Sequence, residues 1–184
     1  TAVYNNLGTS KIKLGEYKDA YNYLQKALEI RKRLYPNFSP DIGESYRNIG
    51  ECLFKQRKYE SAYEYFDKAL KYYQRKAHEY PTKVADAYLN KAETKHRLKK
   101  YEEAQSLYNE ALKTLHYAQV DFKHLERHIS PLDLMTILSQ KAYALVESYT
   151  ANLNIEHLRE AERIFDDGLL VLEHLKSSFR EAGS

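Results

Sequence analysis

The sequence predicts an all-α fold, a right-handed α-solenoid built from about four stacked antiparallel helix pairs. The main observation is a period of 42 residues that returns the same residue types: Tyr4/Tyr46/Tyr88, Tyr17/Tyr59/Tyr101, Ala20/Ala62/Ala104 and Ala27/Ala69/Ala111. A period of this size is typical of helical hairpins that cannot bury their apolar faces alone and therefore stack. Six glycines and four prolines in 184 residues are also too few for an all-β fold rich in turns.

Each period consists of a helix, a short turn, a second helix and a connection. The apolar pattern predicts helices near 2–14, 17–35, 41–56, 59–78, 83–98 and 101–119, in repeats of about 1–40, 41–82 and 83–124. The third helix begins at Ser39-Pro40-Asp41. Serine can cap free backbone N–H groups there, and proline fits the first helical position because it has no N–H to lose.

The turn inside each hairpin needs a residue with a left-handed backbone. Gly15 occupies this place in the first repeat, and Arg57 and Lys99 are in register with it in the next two. Glycine adopts the left-handed conformation without steric cost and is common just after helices. We therefore expect the second and third turns to hold a non-glycine side chain in that conformation.

A fourth unit over about 131–180 departs from the period. Lys91-Ala92 recurs 50 residues later as Lys141-Ala142, and Tyr101–Ala104 recurs 57 residues later as Leu158–Ala161. About eight extra residues therefore enter around Asp121–Ser130, and about seven more around Thr150–Glu156. Ser130-Pro131 repeats the helix-start pattern, and we expect the last two helices near 132–149 and 156–179. A deviant last repeat is often a cap.

The last predicted helix carries more apolar residues than one packing seam requires. A seam at heptad spacing runs through Leu158, Ala161, Phe165, Gly168, Leu172, Leu175 and Phe179. Ile164 and three consecutive residues, Leu169, Leu170 and Val171, widen this apolar arc. We expect Leu169, Leu170 and Val171 to dock an outside partner, either a C-terminal domain of the same chain or a second copy of it. The alternative is that the excess packs against the preceding helix.

Composition restricts the function classes. One cysteine excludes a disulfide framework and a cysteine metal cluster, and no run of about 18 apolar residues could cross a bilayer. We therefore expect a cytoplasmic protein without a membrane partner. The chain begins at Thr1, within a repeat, and is interpreted as one solenoid over 1–184 cut from a longer protein. Residues 1–124 carry 23 Lys+Arg and 16 Asp+Glu, whereas 125–184 carry 6 and 10, so the net charge of +3 is uneven.

The first repeat resembles the tetratricopeptide repeat (TPR) family at its packing positions: Tyr4, Leu7, Gly8, Ala20, Leu24 and Ala27. That repeat normally has 34 residues. The 42-residue form resembles the repeats of kinesin light chain, especially at Ala27–Tyr35 and Ser39–Ile42. The resemblance covers about residues 1–120 and implies a protein- or peptide-binding scaffold without a cofactor.

In such arrays the first helix of each hairpin lines a concave groove. The resemblance places candidate peptide contacts at four repeat positions: Asn6, Asn48 and Asn90; Lys13, Lys55 and Arg97; Phe54 and His96; and Arg47. The basic series stops in the fourth unit, where Glu147 is aligned. An alternative for the asparagines is a hydrogen bond to a neighbouring helix.

The expected ligand is an extended or helical segment with acidic and apolar side chains. Acidic residues interrupt the basic series at Glu44, Glu51, Asp86 and Glu93. This mixture argues against a nucleic-acid partner, because nucleic-acid binding favours a uniformly basic face.

Residues 132–180 resemble a narrower group. Gln140–Leu145, Tyr149 and Leu158–Ala161 are similar to the segment that precedes the peptidase domain in bacterial CHAT proteins. This resemblance implies an alternative function, in which the chain is the sensing or regulatory module of a fused caspase-like peptidase that lies outside it.

No catalytic or metal site is predicted. Cys52 is the only thiol and aligns with Ser10 and Thr94, so a buried packing role is expected. His124 and His128 have a spacing that could place both on one helix face, but the accompanying glutamate does not match a metalloprotease helix. The sequence therefore favours a binding protein over an enzyme.

Overall fold

A computed structural model describes residues 1–115 and 131–182. Within these ranges the chain forms no strand and eight helices: α1 Ala2–Lys13, α2 Tyr17–Leu34, α3 Pro40–Lys55, α4 Tyr59–Gln74, α5 Pro81–Arg97, α6 Tyr101–Thr114, α7 Pro131–Asn152 and α8 Ile155–Ala182. Consecutive helices pair as antiparallel hairpins, here called units 1 (α1–α2), 2 (α3–α4), 3 (α5–α6) and 4 (α7–α8). The predicted all-α solenoid of helix pairs is confirmed. The expected insertion around Asp121–Ser130 and the His124/His128 pair lie outside the described residues.

Several helix boundaries differ from the sequence prediction; helix α6, for example, ends at Thr114 instead of near residue 119. Helix α4 ends at Gln74 instead of near residue 78, and α5 begins at Pro81 instead of near residue 83. The residue before a proline disfavours the helical conformation, and proline at the first helical position needs no partner for an N–H. Pro81 therefore starts the new helix, and the turns at residues 75–79 separate it from α4.

The predicted left-handed turn residues are confirmed. Gly15, Arg57 and Lys99 have φ angles of 77°, 60° and 59°. In the first turn, the Gly15 amide donates to the Ile12 carbonyl (3.0 Å) and the Glu16 amide to the Lys11 carbonyl (2.9 Å). This pattern satisfies helix-end carbonyls and repeats at the next two turns. It therefore stabilises the turns whether or not glycine is present.

The turn of unit 4 is shorter than the sequence indicates. Helix α7 continues to Asn152 and α8 begins at Ile155, so only two residues separate them. Leu153 has a φ of 56° and supplies the left-handed residue. The seven extra residues expected around Thr150–Glu156 therefore lengthen the helices and do not form a loop.

Each of the first three units packs a small residue against a large one. A Cβ atom added to Gly8 would lie 2.6 Å from Leu24, and one added to Gly50 would lie 2.7 Å from Phe66. In unit 3 the pair is Ala92 and Tyr108, which share one core cluster. Because protein interiors are close-packed, a large side chain on one helix requires a small residue opposite it on the other. This pairing lets the two helices of a unit pack closely.

The units stack so that their first helices form one layer and their second helices form another. Helix α1 contacts α3, and α5 contacts α7. In the second layer, Gln25 of α2 donates from Nε2 to the Tyr65 hydroxyl of α4 (2.9 Å). The core is continuous across the junctions, since one apolar cluster includes buried residues of units 1 and 2 and another those of units 3 and 4.

Candidate functional site

The layer of first helices contains a cavity between α3 and α5. It has a volume of about 240 Å³ and is lined by Arg47, Glu51, Phe54, Lys55, Phe66, Asn90 and Glu93. Four of these residues, Arg47, Phe54, Lys55 and Asn90, are among the contacts expected from the sequence. Helix α3 supplies the first three because positions 47, 51, 54 and 55 lie on one face of a helix.

A second cavity lies beside it, between α5 and α7. It has a volume of about 190 Å³ and is lined by Glu93, His96, Arg97, Tyr108, Ser139, Gln140 and Tyr143. Two more expected residues, His96 and Arg97, are found here. Because both cavities share Glu93, they are neighbours across α5, and together they are called the groove below. Asn6 and Lys13 are exposed on α1 and line neither cavity.

The groove carries both signs of charge. Arg47 lies 3.4 Å from the Glu51 carboxylate, and Arg97 lies 3.6 Å from that of Glu93. Each pair connects residues four apart on one exposed helix surface, where such ion pairs are weak and a ligand can replace either partner. Within residues 1–115 and 131–182, Lys55 forms no ion pair, so its ammonium group is available to an anionic side chain.

Asp86 lies near the N-terminal end of α5, close to this surface. Burial raises the pKa of its carboxyl group, and the nearby Asp133 carboxylate raises it further, while Arg47 and Lys83 act in the opposite direction. Asp86, one of the acids expected to interrupt the basic series, is therefore electrostatically coupled to Arg47. The groove has a mixed charge pattern.

At the end of the groove formed by α5 and α7, a carboxylate lies between two aromatic side chains. His96 Nε2 and the Tyr143 hydroxyl each lie 2.7 Å from the Glu147 carboxylate, on different oxygens. The hydrogen bond from Tyr143 has the largest effect and lowers the pKa of Glu147; burial raises that pKa, and the contact with His96 lowers it further. Glu147 thus joins units 3 and 4 where the aligned basic series ends.

Two of the expected contacts are buried side chains, and only one of them, His96, lines the groove. Asn48 is only 1% exposed, and its Nδ2 donates to Asn5 Oδ1 at 2.9 Å. It therefore has the alternative role, a hydrogen bond to the neighbouring helix. His96 is buried beside Tyr101 and Tyr143 and nevertheless lines the cavity between α5 and α7. Residues of neighbouring helices bury both side chains, and the repeat positions alone do not identify those residues.

Several lining residues were missed by the sequence analysis. Phe66 and Tyr108 form the floor, although their repeat position indicates only a core role. Ser139, Gln140 and Tyr143 come from unit 4. The offset of 50 residues that aligns Lys91 with Lys141 also aligns Asn90 with Gln140, so this amide could have been found from the sequence.

In helix α8, part of the expected docking surface is buried. Leu169 and Leu170 are exposed as expected, but Val171 is 0% exposed and packs in the core with α7. Of the predicted heptad seam, Ala161 and Gly168 are buried and Leu175 packs against the core cluster, whereas Leu158, Phe165 and Leu172 are exposed. Ile164 and Val171, which lie outside that seam, complete the buried face. The predicted seam is therefore right in part, and the side chain of Phe179 lies outside the described residues.

Other features carry little chemistry. Cys52 is buried, its thiol contacts the Tyr17 carbonyl at 3.3 Å, and burial raises the pKa of that thiol.

In the two described ranges, histidine, cysteine and acidic side chains form no group of three that could hold a metal. Among the same residues, no helix combines the length and apolar character that a bilayer crossing needs. A larger polar cavity of about 450 Å³ between α2 and the α3–α4 turn contains none of the expected contacts.

Comparisons with known proteins agree with this geometry. The family model described as "Tetratricopeptide repeat" matches residues 1–75 and 41–115. The crystal structure of BtubC (BKLC) from P. vanneervenii has a TM-score of 0.60 at 22% identity, over 90% of this chain and 63% of that one. The crystal structure of the apo form of RapI has a TM-score of 0.63 at 20% identity, over 89% and 55%. The chain spans less than two thirds of either protein, and at these identities the likeness shows the fold alone. No curated protein matches the sequence.

Proposed function

The chain belongs to the tetratricopeptide repeat family, and from this premise we propose that it is a protein-interaction scaffold whose groove binds a peptide segment. The observation that carries the proposal is the meeting of Arg47, Phe54, Lys55 and Asn90 in one cavity between α3 and α5. These side chains supply a cation, an aromatic surface and an amide within reach of a single ligand. Such a combination suits a segment that presents its backbone and alternate side chains.

The partner is a segment with acidic and apolar side chains. Lys55 and Arg97 provide cationic contacts in the two neighbouring cavities, and Phe54 is half-buried and offers a partly apolar surface. Asn90 can donate to and accept from a peptide backbone. Glu51 and Glu93 stand beside the arginines and disfavour a ligand with dense negative charge. The segment thus places isolated carboxylates between apolar residues.

Two finer interpretations remain predictions. The resemblance to kinesin light chain concerns the 42-residue repeat form, and the resemblance of residues 132–180 to CHAT proteins concerns a fused peptidase. A regulatory role beside such a peptidase is compatible with a scaffold, because the groove lies on units 2–4 and leaves the outer face of α8 free for another contact.

A displayed library of random peptides tests the groove. Selection on the wild-type protein is expected to enrich peptides that combine Asp or Glu with Leu or Phe. A variant with Lys55 and Arg97 both changed to Glu should bind the enriched peptides about 10- to 100-fold more weakly, because each reversed charge repels a carboxylate. Binding constants of labelled peptides by fluorescence anisotropy measure this loss.

A matched control changes net charge equally away from the groove. Arg33 and Lys113 are exposed on the second helices, and their change to Glu should leave peptide affinity within about threefold. Equal losses in both variants would show that net charge, and not the groove, attracts the peptides. Enrichment of basic peptides, or unchanged binding to the groove variant, would contradict the proposal.

A further inference from the structure

The first of the three junctions between consecutive units, where unit 2 packs on unit 1, contains a cavity outside the groove. It has a volume of about 450 Å³ and lies between α2 and the α3–α4 turn. Unit 1 lines it with Lys18, Tyr21 and Asn22, and unit 2 lines it with Leu53, Lys58 and Ser61. The cavity is therefore a product of the packing of these two units.

The second junction, between units 2 and 3, has an ion pair at the corresponding place. The Lys95 ammonium group lies 4.4 Å from the ring centre of Tyr63 and 2.7 Å from the Glu103 carboxylate. The Lys100 ammonium group lies 3.8 Å from the same carboxylate. One carboxylate of unit 3 is thus close to two ammonium groups, one of which lies over an aromatic ring of unit 2.

Unit 2 has shorter side chains at the positions of this ion pair. The 42-residue period aligns Leu53 with Lys95 and Ser61 with Glu103. Leu53 has no ammonium group, and a hydroxyl replaces the carboxylate at Ser61. Both residues line the cavity, and so does Tyr21, which aligns with the tyrosine of the second junction. The cavity therefore lies at the positions that carry the ion pair one repeat later.

The cavity has two cationic side chains without an internal counterion. Lys58 aligns with Lys100, but Ser61 stands where Lys100 has its carboxylate. Lys18 contributes a second ammonium group from unit 1. In residues 1–115 and 131–182, neither Lys18 nor Lys58 forms an ion pair, and no acidic side chain lines the cavity. The two ammonium groups are therefore available to an anion from outside the chain.

Two ammonium groups favour a doubly charged anion. A phosphate monoester carries a charge of about −1.5 to −2 at neutral pH and has three strong acceptor oxygens, whereas one carboxylate would neutralise only one lysine. Each lysine has a flexible four-carbon stem, so both can turn toward one anion. The Asn22 amide and the Ser61 hydroxyl add neutral hydrogen-bond donors. The lining therefore suits a phosphate group.

The cavity is larger than a phosphate group alone requires. Its volume of about 450 Å³ falls within the range of about 300–1,000 Å³ that is typical of small-molecule sites. Tyr21 and the buried Leu53 supply an aromatic and an aliphatic surface beside the polar groups. Burial of an apolar group against these side chains would add to the binding free energy. The lining therefore suits a phosphate that carries an apolar organic group.

We propose that this cavity binds a small phosphate monoester with an apolar organic group, such as an aryl phosphate. The ammonium groups of Lys18 and Lys58 pair with the phosphate oxygens, and the organic group packs on Tyr21 and Leu53. The phosphate then takes, beside Lys58, the role that Glu103 has beside Lys100. The site is separate from the groove, which lies between α3, α5 and α7, so the inference does not depend on a peptide ligand.

Titration with phenyl phosphate, followed by two-dimensional NMR of the ¹⁵N-labelled protein, tests the site. Amide signals around the cavity, including those of Asn22 and Ser61, should shift until they saturate. Inorganic phosphate should bind at least about fivefold more weakly, because it has no organic group to bury. A peptide that contains phosphotyrosine is the second arm. Tighter binding of this peptide than of phenyl phosphate would overturn the assignment to a small molecule.

Ser61→Glu is the most informative variant. It gives unit 2 the carboxylate of unit 3, three residues from Lys58, as Glu103 is from Lys100. This carboxylate should pair with Lys58 and repel the ligand, so phenyl phosphate should bind at least about tenfold more weakly. Ser106→Glu, the same change at an exposed position of α6, is the matched control and should leave affinity within about twofold.

A second variant tests whether unit 1 takes part. Lys18→Gln removes one ammonium group and should weaken phenyl phosphate binding about threefold to tenfold. Unchanged affinity would overturn the proposed pairing of the phosphate with both units. Lys18 and Ser61 are both exposed, so the variants should fold, which circular dichroism and thermal unfolding will verify.

Other outcomes overturn the proposal as a whole. Absence of saturable shifts around the cavity would show that it is not a phosphate site. Equal losses for Ser61→Glu and Ser106→Glu would show that net charge, and not the cavity, attracts the ligand. Ser61→Glu should leave the affinity of groove-binding peptides unchanged, so a failure of phosphate binding is distinguishable from a failure of the peptide groove.

Discussion

Asn48 and Asn90 occupy the same repeat position at consecutive junctions, yet their environments differ. Asn48 is buried and hydrogen-bonded to Asn5, whereas Asn90 is half-buried and lines the groove. The residue aligned with Asn5 in the next unit is Arg47, which pairs with Glu51 on its own helix. The same amide is therefore structural at one junction and available to a ligand at the next, because the preceding unit decides what it meets.

A second pair of positions differs in the same way. At the first junction Ile49 packs in an apolar cluster, and Gln25 bonds Tyr65. At the second junction the aligned residues are Lys91 and Asp67, whose ammonium and carboxylate groups lie 2.6 Å apart. An apolar contact at one junction is thus replaced by a nearly buried ion pair at the next. The backbone stacking is kept while the chemistry of the contact changes.

The largest expected effect comes from removing one partner of that ion pair. Asp67→Ala leaves the buried Lys91 ammonium without its carboxylate, which should lower the free energy of unfolding by about 2–3 kcal/mol. Gln25→Ala, at the same position of the first junction, should lower the free energy of unfolding by only about 1 kcal/mol, because the hydrogen bonds that it removes, to Tyr21 and Tyr65, are neutral. Unfolding in urea measures both. The comparison fails if the two substitutions cost the same.

The next effect separates the two asparagines. Asn48→Ala removes a buried hydrogen bond and leaves Asn5 Oδ1 without its donor, so a loss of about 1–2 kcal/mol is expected. Asn90→Ala should change stability by no more than about 0.5 kcal/mol, as is usual for a partly exposed side chain, and should weaken peptide binding instead. Urea unfolding and peptide anisotropy are measured on both variants. A larger stability loss for Asn90→Ala would reverse the assignment.

The smallest expected effect concerns the third junction and depends on pH. Interactions with Tyr143 and His96 lower the pKa of Glu147, so its carboxylate stabilises the fold above the unfolded pKa of about 4.3. This contribution is lost as pH falls through the folded pKa. Glu147→Gln should therefore lower the free energy of unfolding by at most about 0.5 kcal/mol at neutral pH, because solvent screens this partly exposed group. In strong acid the substitution should not change the free energy of unfolding. A difference that grows on acidification would contradict this sign.

The candidate site could be predicted in part from the sequence. The resemblance to tetratricopeptide repeats placed Arg47, Phe54, Lys55 and Asn90 on the groove side of the first helices, and these four residues line one cavity. The burial of Asn48 could not be predicted, since it depends on Asn5, a residue 43 positions away that contacts it only when the units stack. Gln140 was recoverable from the 50-residue offset.

Helix α8 shows a second limit of prediction from the sequence. Its apolar residues were enough to predict a helix with a face left over, and Leu169 and Leu170 are indeed exposed. The rotation of the helix could not be predicted, because more than one apolar stripe competes for α7. In the structure, Ile164 and Val171 are buried in the core cluster that includes α7, and Phe165 and Leu172 are exposed.

By itself the sequence determined the helix pairs, their order and the left-handed turn residues, because these follow from local periodicity and from contacts inside one hairpin. Gly8 with Leu24 and Gly50 with Phe66 are such contacts. Only the tertiary structure decided which polar side chains became structural, which apolar face of α8 turned inward and how the groove was composed. Those outcomes depend on side chains that different units contribute, and the free energy of burying a group depends on the partner it meets there.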